Sequence, residues 1–258
     1  MTSNFQQFKQ SHEEKTLFVL PNVWNAKSAS VFEEKKFRAV ATSSAAVAES
    51  LGYKDGENMP FSEYLFVINR IVSSINIPLT VDMEMGYGET NDAVYANIMK
   101  LIEKGVAGIN IEDSMITGSK RVLNEIKNVA DRVEYIKKKL AAQCLNIFIN
   151  LRCDTYLLNV DNKYRETVNR LNAFERSGAD GIFLPCISAV NDIDDAVNAT
   201  KLPLNVMCIP GLPGFAELNK LGVKRVSMGP FMFNKVYNHI GQYSDSITAE
   251  KNFSAILS

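Results

Sequence analysis

Residues 92–112, DAVYANIMKLIEKGVAGINIE, carry a helical apolar rhythm into Gly105 and pass almost without a loop into an apolar run ending at Glu112. Glycine is the usual stop beyond a last helical turn, because the backbone there favours a left-handed conformation. Residues 164–185 repeat the device: YRETVNRLNAFERSG ends at Gly178, and Ala179-Asp180-Gly181 leads into a second apolar run. A helix that stops and feeds directly into a buried strand is the unit of a parallel α/β fold.

Working outward, comparable strands are predicted at residues 17–20, 39–42, 79–82, 108–112, 147–152, 181–185, 204–207 and 225–229. Several are near-continuously apolar, as strands covered on both faces should be. Between them, residues 62–75 place Leu65, Ile68, Ile71 and Val72 at helical spacing, and residues 125–140 do likewise. Eight such units in 258 residues predict a (β/α)8 TIM barrel, read as one domain over residues 1–258. An open doubly wound sheet is the alternative, but no G-x-G-x-x-G or Walker-type loop supports it. Residues 1–15 are expected to form a tail or leading helix, and residues 241–258 a trailing helix.

Composition is that of an ordinary globular protein, 46% hydrophobic and 22% charged, with a formal charge of -1. That balance gives no electrostatic reason to expect a nucleic-acid partner. The polar start resembles no secretory signal, and no stretch approaches a membrane span, so a cytoplasmic protein is expected. Four cysteines, Cys144, Cys153, Cys186 and Cys208, lack C-x-x-C spacing and are read as free thiols. His12 and His239 stand alone in the terminal segments, which disfavours a His-ligated metal or a His-based triad.

Active sites of parallel barrels sit at the C-terminal ends of the strands. Asp82 and Glu84 lie two apart at the third strand's end, so an extended backbone would send both to one face. Glu112 ends the fourth strand and Asp55 lies in the loop region after the second. Gathered oxygen ligands without His or Cys suit Mg2+; from spacing alone, strand-end residues bonded to loop amides are an equal reading. Arg152, ending the fifth strand, could pair with Glu112 or clamp a substrate carboxylate. Ser43 and Ser44 precede a helix and could hold an anion or cap it. Trp24, the single tryptophan, could wall a pocket or simply pack.

Taken together, nine collinear stretches resemble the isocitrate lyase and phosphoenolpyruvate mutase superfamily. They are residues 20–29 (LPNVWNAKSA), 41–44 (ATSS), 51–57 (LGYKDGE), 81–88 (VDMEMGYG), 108–114 (GINIEDS), 150–154 (NLRCD), 178–183 (GADGIF), 203–207 (PLNVM) and 221–227 (LGVKRVS). The resemblance implies that Asp82 binds Mg2+ directly while Asp55, Glu84 and Glu112 hold it largely through water. It implies that backbone amides at Ser43 and Ser44 take the substrate carboxylate, that Arg152 grips the substrate, and that Asn205 lines the pocket. It also implies a homo-oligomer, tetramer or dimer, with the last helix exchanged between subunits.

The departures narrow the chemistry. Isocitrate and methylisocitrate lyases carry a catalytic Lys/Arg-Cys-Gly-His loop after the fourth strand, whereas residues 113–123 here read DSMITGSKRVL. Where those lyases place a Glu after the sixth strand, this chain has Cys186, read as an inert thiol. The mutases' loop pattern of a Lys and an Asn-Ser pair is absent too. The expected activity is Mg2+-dependent C–C cleavage of a small 2-oxo acid, oxaloacetate-like, through an enolpyruvate intermediate. The loop of residues 114–122, pivoting at Gly118, is expected to close over the site. The alternatives are C–P chemistry, as phosphonopyruvate hydrolase or phosphoenolpyruvate mutase, and a non-catalytic carboxylate-binding barrel.

Overall fold

The computed structural model describes residues 3–118 and 120–257. Strands β1 (Phe18–Leu20), β2 (Asn22–Val23), β3 (Val40–Thr42), β4 (Leu79–Asp82), β5 (Gly108–Glu112), β8 (Phe148–Arg152), β9 (Gly181–Leu184), β10 (Leu204–Met207) and β11 (Arg225–Ser227) form one parallel sheet. Its order is β1-β11-β10-β9-β8-β5-β4-β3-β2. β1 and β2 are two halves of one strand, separated by Pro21 alone. The first half pairs with β11 and the second with β3, so the ring closes as an eight-stranded barrel. Pro21 has no amide hydrogen to donate, yet its carbonyl accepts from the Ala41 amide at 2.9 Å across the change of partner.

Each predicted strand is present, with ends moved by at most two residues. Gly105 and Gly178 stop their helices at φ +83° and +87°, the left-handed conformation their sequence context called for. The helices cover the barrel through one stripe each. Helix α5 (Asn91–Glu103) buries Val94, Ile98 and Leu101, and α6 (Ile126–Ala142) buries Val129, Val133, Ile136 and Leu140.

The leading segment forms α1 (Asn4–Glu13), opened by a reciprocal Ser3–Gln6 capping box. It plugs the N-terminal end of the barrel. Phe8 is fully buried, edge-on to Phe148 at 5.4 Å, and His12 stacks on Phe148 at 4.2 Å. The interior above this plug departs from the layers of branched apolar residues usual in such barrels. Asn110, Asn150, Asn205 and Arg225 are all buried there.

Two expectations need correction. The trailing helix begins ten residues earlier than expected: α10 runs Phe231–Glu250, with a short α11 at Ser254–Leu257. Gly241 lies within it without breaking it, since a single glycine costs a helix only about 1 kcal/mol. Only Phe233 of α10 is buried, while Val236, Tyr237, Ile240 and Tyr243 are exposed. The segment after β5, expected as a loop, is an antiparallel hairpin of β6 (Ser114–Thr117) and β7 (Lys120–Leu123). Its Ile116 Cδ1 would lie 2.6 Å from a Cβ at Gly56, so the hairpin sits against the loop carrying Asp55 only because residue 56 has no side chain.

Candidate active site

A cavity of about 430 Å3 opens at the C-terminal ends of the strands. Asp82 and Asn110 line it from β4 and β5, Arg152 from β8, Asp55 from its loop, and Ser43 and Ser44 from the start of α3 (Ser44–Ser50). Arg121, projecting from the hairpin, lines it as well.

Asp82 is anchored from three sides. Its amide donates to Thr42 Oγ1 at 3.0 Å, Tyr64 OH donates to its carbonyl at 3.0 Å, and Ser44 Oγ donates to Oδ2 at 2.8 Å. Burial raises its pKa and the nearby Asp55 raises it further, against the opposing pull of Arg152 and Ser44. Among the described residues no basic side chain forms an ion pair with Asp82; the arginines of the site are committed to Glu112 and Asp154.

Glu84 reaches the same neighbourhood by a different route from the one expected. The strand ends at Asp82, and Glu84 sits in the following turn at φ +50°, so an extended backbone does not align the two. Its Oε2 accepts from the Glu57 amide and its Oε1 from Tyr87 OH, both at 2.9 Å. Burial, then the charges of Asp55 and Asp82, push its pKa up to about 8. Glu112 is gripped by two guanidinium groups. Arg121 Nη1 hydrogen-bonds Oε1, and Arg152 Nη1 lies 2.9 Å from Oε2 at an angle that makes no hydrogen bond. Burial dominates here too and takes the Glu112 pKa to about 7, with Arg152 opposing it. Arg152 also donates from Nε to Asp154 Oδ1 at 2.6 Å, and Ser114 Oγ closes on Asp154 Oδ2 at 2.5 Å.

The carboxylates thus fall within each other's fields, but among the described residues no three His, Cys, Asp or Glu side chains converge as direct ligands. This donor set fits Mg2+ rather than Zn2+ or Ca2+, because Mg2+ retains waters and needs only one or two protein carboxylates. Asp82, half-buried and in no ion pair among the described residues, is the group such an ion would relieve.

Of the other expected site residues, Ser43 and Ser44 stay at the cavity wall, whereas Trp24 and Asn205 do not line it. The Ser43 amide donates to Val23 O at 3.1 Å and its hydroxyl caps α3 at Ala46 N, while Ser44 holds Asp82. Strand pairing takes the Ser43 amide and the helix cap its hydroxyl, so Ser43 does not offer the open cradle that was expected, while Ser44 faces the Asp82 carboxylate. Trp24 is edge-on to Phe233 at 5.3 Å and lines the groove between α2 (Ala26–Glu34) and α10 rather than the cavity. Asn205 lies fully buried below the cavity, donating to Asn150 Oδ1 at 2.5 Å. Cys186 does not line the cavity, and burial holds its thiol pKa above the usual value.

Arg121, Asp154 and Asn110 are among the site residues that sequence reasoning passed over. The two-residue Gly118-Ser119 step between residues 114–117 (SMIT) and 120–123 (KRVL) is a hairpin signal, and reading it would have put Arg121 on a defined strand.

The sequence profile of phosphoenolpyruvate phosphomutase matches residues 8–248. A protein of Mycobacterium tuberculosis without an assigned activity is 31% identical over 222 residues, covering 86% of this chain and 81% of its own. An oxaloacetate decarboxylase of Ectopseudomonas mendocina is 27% identical over 215 residues, covering 78% and 72% respectively. Among solved structures, a Burkholderia cenocepacia protein provisionally assigned as a phosphonomutase superposes with a TM-score of 0.86 at 33% identity, covering 92% of this chain and 97% of its own. With a profile match running from the helix that plugs the barrel to the one that ends it, the chain belongs to the phosphoenolpyruvate phosphomutase family, within the isocitrate lyase superfamily.

Proposed function

We propose that this barrel is a Mg2+-dependent lyase that cleaves the bond at C3 of a small 2-oxo acid, with oxaloacetate as the model substrate. The observation that carries the reading is Asp82: a half-buried carboxylate at a barrel-strand end, facing a cavity and in no ion pair among the described residues. Asp82 would hold the ion directly, with Asp55, Glu84 and Glu112 oriented toward its waters. When bound, the ion supplies Lewis-acid polarisation of the substrate's carbonyl and carboxylate oxygens.

The chain's own residues provide the rest. Ser44 fixes the Asp82 carboxylate, and Thr42 with Tyr64 fixes its backbone. Arg152 is the substrate-facing cation, its planar fork kept rigid by Glu112 and Asp154. Although its burial works against the charge, those two carboxylates hold its pKa above the ordinary value, so it stays cationic. Cleavage sends the C3–C4 electrons toward the carbonyl oxygen as CO2 departs, and a proton taken up at C3 completes pyruvate. The hairpin, touching the cavity through Arg121, would exclude water during that step. The exposed apolar residues of α10 fit a homo-oligomer in which this helix is covered by a neighbouring subunit.

The reading draws support from the oxaloacetate decarboxylase relative and from the absence of the Cys-Gly-His loop used by isocitrate lyases. C–P chemistry is the second reading, favoured by the 33% identity to the provisional phosphonomutase. One assay separates them: pyruvate release from oxaloacetate against phosphate or phosphoenolpyruvate from phosphonopyruvate. The lyase reading expects the former, abolished by EDTA and by Asp82→Ala. Turnover that survives EDTA would falsify the metal role, and binding without product from either acid would make the barrel a carboxylate receptor.

A further inference from the structure

The cavity does not end at the strand tips. Leu20, Ala41, Asn110 and Arg225 line its inner part, within the barrel itself. Ala41 is the reason there is room, because a branched side chain at that position would fill the space as in an ordinary barrel layer. Arg225 therefore meets the cavity although its side chain is almost completely buried, at 1% exposure.

The surroundings of this guanidinium are short of negative charge. Nη2 donates to Asn110 Oδ1 at 3.3 Å, and Nη1 lies 3.5 Å from His12 Nε2. His12 donates through Nδ1 to Phe8 O at 2.9 Å, which leaves Nε2 as a neutral lone pair rather than a counter-ion. Among the described residues Arg225 Nε has no acceptor, and no carboxylate forms an ion pair with the group. Burial lowers its pKa to about 9, and Asp82 is the one charge that resists. A buried cation held only by neutral groups is expensive, and an anion in hydrogen-bond reach is what repays it.

The amide chain beside it has a fixed sense. A guanidinium can only donate, so Asn110 Oδ1 must accept; it accepts again from Asn150 Nδ2 at 2.8 Å, and Asn150 Oδ1 accepts from Asn205. Asn110 is thereby left with its Nδ2 as the group to offer the cavity it lines.

We propose that the inner end of this cavity is an anion subsite, in which Arg225 Nε and Asn110 Nδ2 receive a carboxylate. Combined with the strand-end chemistry proposed above, on which this consequence rests, the substrate carries two acidic ends, one at Arg152 and one at Arg225. The subsite itself stands on the interior geometry alone.

The first test uses the wild-type protein: a crystal soaked in bromide and measured at the bromine edge. An anomalous peak in hydrogen-bond reach of Arg225 Nε is expected; a water there, without anomalous signal, overturns the subsite. The second is calorimetric titration of malonate and of acetate into wild type and Arg225→Met, with melting curves to establish that the variant folds. Malonate is expected to bind wild type more tightly than acetate, and Arg225→Met to lose roughly 10- to 100-fold in malonate affinity. Equal malonate affinity in both proteins overturns the proposal, and should Arg225→Met fail to fold, the bromide result decides alone. Neither readout needs turnover. An inactive protein that still binds anions at Arg225 would sink the lyase reading and keep the subsite, and the reverse outcome would do the opposite.

Discussion

Arg121 and Arg152 grip the same carboxylate, that of Glu112, from opposite origins: one from the hairpin, the other from the adjacent barrel strand. Glu112 thus couples the hairpin to the barrel wall. Both arginines also reach Asp154, Arg152 by a hydrogen bond and Arg121 at 3.8 Å. The hairpin is consequently fastened to the site by charge, over and above its Gly56–Ile116 contact.

Arg121→Ala should therefore release the hairpin without unfolding the barrel. Amide hydrogen exchange across residues 114–123 is expected to accelerate by roughly 10-fold or more, corresponding to the loss of a charge-assisted bond. Exchange in β8 should stay as it is. Unchanged protection in the hairpin would show that Arg121 is no tether.

Metal and pH should act against each other through Glu84. Its folded pKa, about 8, lies above the 4.5 of a free glutamate, chiefly through burial and then through Asp55 and Asp82. A raised carboxylate pKa means that the folded state binds the proton more tightly. Its contribution to stability is full below pH 4.5 and is lost as pH rises through about 8. In EDTA, the melting temperature of wild type should fall across that window more steeply than that of Glu84→Gln. Excess Mg2+ should restore the wild-type loss, since a divalent cation favours the ionised carboxylates. Parallel curves for the two proteins in EDTA would exclude Glu84 as the source.

His12 predicts the opposite slope. Burial, reinforced by Arg225, lowers its pKa from 6.5 to about 3, so the unfolded chain takes up the proton first. The stability it contributes is present above pH 6.5 and drains away as pH falls toward 3. Urea midpoints measured from pH 7 down to pH 4 should decline less in His12→Gln than in wild type. An equal decline would place the acid sensitivity elsewhere.

Gly86 supports the turn that holds Glu84 and Tyr87. Its φ is +109°, and a Cβ there would stand 2.7 and 2.8 Å from the two γ-carbons of Val94. Gly86→Ala should cost about 2 kcal/mol or more, from strain and overpacking together. Thermal or chemical denaturation would check this, and a loss below 0.5 kcal/mol, the range of a surface change, would show that the turn relaxes freely.

The barrel was readable because its eight strands are near-continuous apolar runs and two of its helices end in glycine just before them. That signal depends on burial, and burial is what the fold imposes everywhere except at its mouth. Asp82 and Glu112 stood out for a related reason: they are acidic residues at the ends of apolar strands. What stayed hidden were relationships set by tertiary pairing. Ser43 and Ser44 resemble an anion cradle in sequence, but Val23 O, the cap at Ala46 and the Asp82 carboxylate claim them in the fold. Arg225 reads as a strand residue of an apolar run, and nothing local reveals that its partners come from α1 and β5.

Pro21 is the seam at which the cylinder is sewn. One residue later, Asn22 Oδ1 receives the amides of both Met228 and Gly229, stitching the end of the last strand to the start of the second half of the first. Strand side chains alternate in and out, so gaining or losing a residue beside Pro21 would rotate Asn22 to the outside and strand those two amides. Helix-side loops can lengthen through evolution at little cost, whereas this joint tolerates exchange of residues but not a change in their number.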